Sequence, residues 1–168
     1  MPEPREVRCY DYVTVPYERV RDLLRTDAAT IFSRATADAA ERARELMATL
    51  RLDVGPIKVG VDVKLQATGI ADETTATGDP RTRLDFTWHA AQGAGFFPTM
   101  DATLSVYPLS SRETQLDLHG RYRPPLGTFG NAIDVAAGYR VAEATLLRLL
   151  RDVRTLIIME RGVAAGTG

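Results

Sequence analysis

The 168-residue chain is 45% hydrophobic and 26% charged, the make-up of one globular domain, which excludes a disordered, fibrous or low-complexity protein. Its 21 basic residues against 22 acidic ones leave a formal net charge of -1, which argues against a nucleic-acid partner, since a backbone binder carries a basic excess. The lone cysteine, Cys9, allows no intramolecular disulfide, and the start MPEPREVRCY has no apolar secretion segment, so the expected location is cytoplasmic; no apolar run approaches the roughly 20 residues of a membrane span.

Glu6 to Val15 is dense in β-branched and aromatic residues and closes at Pro16, which predicts a first strand. Tyr17, Val20, Leu23 and Leu24 follow at helical spacing, predicting a short helix to about residue 25. Asp27 to Leu50 turns rich in Ala, Glu and Arg, with Asp27 and Asp38 as caps and Ala39, Ala43, Leu46, Met47 and Leu50 on one stripe. One or two further helices are expected there. After Gly55-Pro56, Val59, Val61, Val63 and Leu65 alternate with Gly60 and charged residues as a half-buried strand does, up to a polar turn from Asp72 to Pro80. Leu84, Phe86 and Trp88 mark the next strand. Beyond Gly93-Ala94-Gly95 come Met100, Ala102, Leu104 and Val106, and after the Pro108 to Arg112 turn Leu116, Leu118, Gly120 and Tyr122. Consecutive strands joined by polar turns predict an antiparallel meander.

Asn131 and Asp134 form a cap signature, and helical periodicity then runs to about Arg154 or beyond. The apolar stripe of this long helix holds Val135, Tyr139, Ala142, Leu146, Leu149, Leu150, Val153, Leu156 and Ile157, with Arg140 at its boundary. The stripe needs an apolar partner, and the meander offers one, so the fold class is α+β with the helix across the sheet. Residues 162–168 read as a frayed tail, which leaves 1–161 as one domain.

A strand, short helices, an antiparallel meander and one long C-terminal helix follow each other in the order of the helix-grip fold. The whole chain resembles the SRPBCC superfamily, with its START-like lipid-transfer domains, the birch-pollen allergen relatives and the polyketide cyclases or aromatases. Local wording supports this: Val13-Thr14-Val15-Pro16 before a helix with Leu23-Leu24, and Tyr122-Arg123-Pro124-Pro125-Leu126-Gly127 leading through Gly130 and Asp134 into Arg140-Val141-Ala142-Glu143-Ala144-Thr145. That second stretch is similar to bacterial members of the polyketide cyclase/dehydrase and lipid-transport-like branch. The resemblance implies a curved antiparallel sheet wrapped around the long C-terminal helix, two or three short N-terminal helices, and a cavity that admits a small hydrophobic or amphipathic molecule. The residues that would line it are Phe86, Trp88, Met100, Leu104, Leu118, Tyr122, Tyr139 and Arg140, with Phe129 on a glycine-flanked loop at the mouth and Phe32, Met47, Phe96 and Phe97 near it. An apolar face is first of all a core, so most of these residues equally serve to pack the protein. Trp88, Tyr122 and Tyr139 stand apart because each carries a polar tip that needs a partner when buried.

Other chemistry is thinly represented. His89 and His119 fall on the polar side of their strands with Asp85, Asp101 and Asp117, and their spacing is not that of metal ligands, so neither metal nor cofactor is expected. Cys9 reads as a buried structural thiol. The glycine pairs at Gly93/Gly95 and Gly127/Gly130 lack the Gly-Lys-Ser/Thr of a phosphate loop. Asp11 shares a face with Val7, Cys9 and Val13 and would need a partner if buried. Three readings follow: a carrier or binding module, a cyclase or aromatase-like enzyme using the same cavity, and an interaction domain with a filled core, as monomer or homodimer. The nearly acid-free inner face favours binding over catalysis.

Overall fold

The computed structural model describes residues 4–49, 63–90, 99–123 and 132–165. Among these residues the order is β1 (Arg5–Val13), α1 (Tyr17–Thr49), β2 (Val63–Thr74), β3 (Pro80–Ala90), β4 (Thr99–Pro108), β5 (Thr114–Arg123) and α2 (Ala132–Ala165). One antiparallel sheet runs β1-β5-β4-β3-β2. Strands β2 to β5 form the expected meander, and β1 returns to pair with β5 as an edge.

The N-terminal half differs from expectation in one respect: α1 is a single helix of 33 residues in place of two or three short ones. No glycine or proline lies between Tyr17 and Thr49. A cap-type residue such as Asp27 ends no helix by itself, because its exposed side chain can simply turn to solvent. The Pro16 carbonyl accepts the first helical bonds from the N–H groups of Arg19 and Val20 at 3.1 and 3.2 Å, and Glu18 in the first turn suits the positive end of the helix dipole. Val20, Leu24, Ile31, Phe32 and Ala35 are buried on one stripe that crosses the supposed boundary through the partly buried Ala28.

β2 continues to Thr74, past the start of the turn read from the sequence, and a bulge between Ala67 and Gly69 shifts its register on the way. Asp72 thereby lands on the same face as Ala67 and Ile70, opposite Thr82. The hairpin closes at Gly78, whose φ of 87° lies in the left-handed region. Helix α2 buries Leu146, Leu149, Leu150, Val153 and Ile157 as predicted and runs to Ala165, beyond Gly162 where the sequence places the tail. It lies along β1 and β5 and against α1, while α1 reaches over β2 and β4. Both helices therefore share the inner face of the sheet, and α2 packs on a helix as well as on the meander.

A polar chain anchors α1 to this face. The Thr82 hydroxyl donates to the Asp72 carboxylate at 2.8 Å, and having one proton it must accept the 2.8 Å bond from the Tyr17 hydroxyl. Arg25 pairs with Asp72 from the next turns of α1. The Thr82 hydrogen bond, with the Arg25 charge, holds the Asp72 carboxyl below the usual carboxylate range against a smaller opposing effect of burial.

Candidate functional site

Strand register sets the inner face out in cross-strand rows. Trp88, Met100 and Tyr122 stand side by side on β3, β4 and β5. The next row holds Phe86, Ala102, Gly120 and Val7, and the one after it Leu84, Leu104, Leu118 and Cys9. Phe86, Trp88, Met100, Leu104, Leu118 and Tyr122, chosen from alternation alone, are thus brought together on one buried surface. Leu104 and Leu118 belong to its tightly filled middle. All of these residues are buried: Trp88 and Met100 of the first row retain 7% and 8% exposure, Tyr122 beside them 2%, and Cys9 at the edge of the third row 9%.

Tyr122 is 2% exposed. Burial pushes its phenol above the ordinary value, opposed by Arg5, its register partner on β1. A phenol that keeps its proton is a hydrogen-bond donor, and no hydrogen bond joins the Tyr122 hydroxyl to another described residue, although the side-chain polar atom that is fully buried without a partner among those residues is Arg81 Nε. Beside it, Gly120 leaves space that other groups enter. A Cβ on Gly120 would meet Met100 Sδ at 2.9 Å and Leu146 Cδ1 at 3.3 Å, so the Met100 thioether leans diagonally over the glycine while α2 closes it from above. Glycine inside a strand is a sequence signal for such close approach, but which group approaches is set by tertiary packing.

The remaining candidates fall elsewhere. Phe32, expected near the mouth, is a core residue whose ring centroid lies 5.2 Å from that of Phe86. Arg140 is exposed on α2. Tyr139 is placed on α2 as a backbone position only, and Phe129, Phe96 and Phe97 lie outside the described residues. Asp11 is half-buried, with its carboxylate accepting from the Tyr12 N–H at 2.8 Å and lying 3.6 Å from Arg154 Nε. Its charge is matched at the sheet edge. His119 is on the outer face, 3.7 Å from Glu6, within a lattice that also pairs Arg8 with Asp117 and Arg83 with Asp85. Burial raises the Asp85 carboxyl, but the Arg83 and Thr103 hydrogen bonds outweigh it and hold the group below its ordinary range. A separate cleft of 610 Å³ opens at the opposite end of the sheet, lined by Thr14, Pro16, Ser110, Ser111, Arg112 and Glu113. Its lining is polar and open to solvent, unlike the inner face.

Cys9 is buried, and loss of solvent pushes its thiol up to about 12. Only the thiolate attacks disulfides, so an aromatic disulfide reagent at mildly alkaline pH is expected to modify native protein at least about 100-fold more slowly than urea-unfolded protein. Equal rates would mean that the thiol is exposed and ionisable in the native state.

Comparison with solved structures decides the architecture. The ZhuI aromatase/cyclase from Streptomyces sp. R1128 superposes with a TM-score of 0.52 at 15% identity, covering 98% of this chain and 99% of that one. This is the helix-grip fold. A START superfamily protein from Mycobacterium smegmatis gives a TM-score of 0.39 at 14% identity over 92% and 97% of the two chains, and Ara h 8.0201 gives 0.43 at 6% over 93% and 99%. No family model matches the chain, and no curated protein matches it either. In this helix-grip chain the sheet's inner face is shared by α1 and α2, with the Trp88–Met100–Tyr122 row at one end. Among the described residues no helix is long and apolar enough to cross a membrane.

Proposed function

We propose that this chain binds a small hydrophobic or amphipathic molecule between the inner face of the sheet and the helices, at the end marked by Trp88, Met100 and Tyr122. The observation that carries this reading is Tyr122, a buried residue whose hydroxyl makes no hydrogen bond to another described residue, beside Trp88 and Met100 in an otherwise apolar row. A packed core satisfies its polar tips, whereas a ligand site leaves a few for its guest. The helix-grip architecture is compatible with this use, and one protein of the same fold is an aromatase/cyclase. A cyclase-like reaction in the same space would need an acid or base on the inner face. Among the described residues there, Asp11 is matched by Arg154, and Asp72 by Arg25 and Thr82; Tyr122 holds its proton and is a donor before it is a base. Binding is therefore the reading preferred over catalysis.

Native mass spectrometry of gently purified protein, beside its denatured mass, is the test. A reproducible extra mass in the native state, lost on denaturation, is the expected result. Trp88 is the chain's one tryptophan, so its fluorescence reports on this end of the sheet directly. Equal masses, together with Trp88 emission that no hydrophobic probe alters, would leave the interior as a filled core and end the binding reading.

A further inference from the structure

The row next to Trp88, Met100 and Tyr122 contains two small residues side by side, Ala102 and Gly120. Both are buried. Small neighbours in the middle of a sheet leave a depression, and here the depression is occupied by the end of Met100, whose Sδ and Cγ would lie 2.9 and 3.3 Å from a Cβ on Gly120. Leu146 of α2, fully buried, forms the roof. Methionine is the side chain best able to leave such a position, since it is unbranched and has several low-energy rotamers. The register neighbour of Met100 is the buried Tyr122, whose hydroxyl makes no hydrogen bond to another described residue. A polar anchor and a movable apolar stop thus sit next to each other.

Resting on the binding reading above, we propose that Met100 sets the depth of the site: a ligand places an acceptor oxygen at the Tyr122 hydroxyl, and its apolar end runs towards the Ala102–Gly120 hollow until the Met100 thioether stops it. The ligand class this implies is an amphipathic molecule with one hydrogen-bond acceptor, such as a carbonyl or carboxylate, and an apolar body of limited length. Met100→Ala removes three heavy atoms from the hollow and opens it to a longer guest. Gly120→Ala does the reverse, because its new methyl group displaces the flexible end of Met100 into the remaining space.

The test titrates wild type, Met100→Ala and Gly120→Ala with saturated straight-chain carboxylates of roughly 6–16 carbons, following Trp88 emission and the ¹³C-labelled methionine methyl signals. In Met100→Ala the longest tightly bound chain is expected to grow by about three carbons, with affinity for chains beyond the wild-type limit rising roughly tenfold or more. In Gly120→Ala the limit shortens. In wild type the Met100 methyl signal shifts only with chains near the limit. Thermal melts confirm that each variant folds, and if Gly120→Ala does not, Met100→Ala and the methyl signal decide alone. Binding with one length profile in wild type and Met100→Ala, and an unmoved Met100 methyl, overturns the role of Met100 and leaves the binding reading standing. No binding of any chain to wild type or variant overturns both.

Discussion

Phe86→Ala is expected to cost about 3–5 kcal/mol of folding stability, at the upper end for a buried aromatic. The reason lies in its neighbours. Phe86 is 1% exposed in the central part of the sheet, and its register partners are Ala67 on β2 and Ala102 on β4. Neither has atoms to move into the space that a missing ring would leave, and Gly120 beyond Ala102 has none either. The cavity would be capped by Phe32, which now meets the Phe86 ring at 50° between planes. An unrelaxed cavity carries the full packing penalty in addition to the lost transfer free energy. Phe86→Leu, which keeps most of the volume, is expected to cost about 1–1.5 kcal/mol. Urea unfolding with an unchanged m-value measures both. A cost below about 1 kcal/mol for the alanine variant would show that the surrounding structure does collapse, and that the inner face is not rigidly packed at this row.

The sheet and the last helix were open to reading from the residues because each has a clean period. Leu84-Phe86-Trp88 and Leu116-Leu118-Gly120-Tyr122 keep strict alternation, and the buried set of α2 repeats at helical spacing without interruption. The six inward residues of the candidate site follow from that phase. What local pattern misreads is where one rule competes with another. Asp27 has the chemistry of a cap, yet the buried stripe from Val20 to Ala35 runs past it, because burial of an apolar face outweighs the preference of one exposed side chain. Asp72 looks like a turn residue until the bulge near Gly69 changes the phase of β2 and sets it against Thr82. The approach of Met100 and Leu146 to Gly120 joins three elements, β4, β5 and α2. No period along a single element encodes it.

The polar chain that begins at Asp72 gives the second large effect. Thr82→Val is expected to destabilise the fold by about 1–3 kcal/mol, through a hydroxyl left without its acceptor in the interior. Thr82 is 1% and Tyr17 4% exposed, so the Tyr17 hydroxyl, 2.8 Å from Thr82 Oγ1 in the native protein, finds no water to replace it. The Asp72 side chain is 40% exposed and loses a hydrogen bond that solvent largely restores, so its share of the cost is the smaller one. The two shares separate by pH. Thr82 helps to hold the folded-state Asp72 carboxyl below its unfolded value; stability from that contact is present above the unfolded pKa and disappears as pH falls through the folded one. The stability gap between wild type and Thr82→Val is therefore expected to narrow on the acid side, below about pH 4, while the part owed to Tyr17 persists. Thr82→Ser keeps the hydroxyl and should preserve the pH dependence, with only the small cost of a lost methyl group. Denaturant midpoints across the acid range for the three proteins measure this. A gap between wild type and Thr82→Val that is the same at every pH would mean that Asp72 draws its stabilisation from Arg25 alone, and that the chain from α1 to β2 passes through the ion pair and not through the threonine.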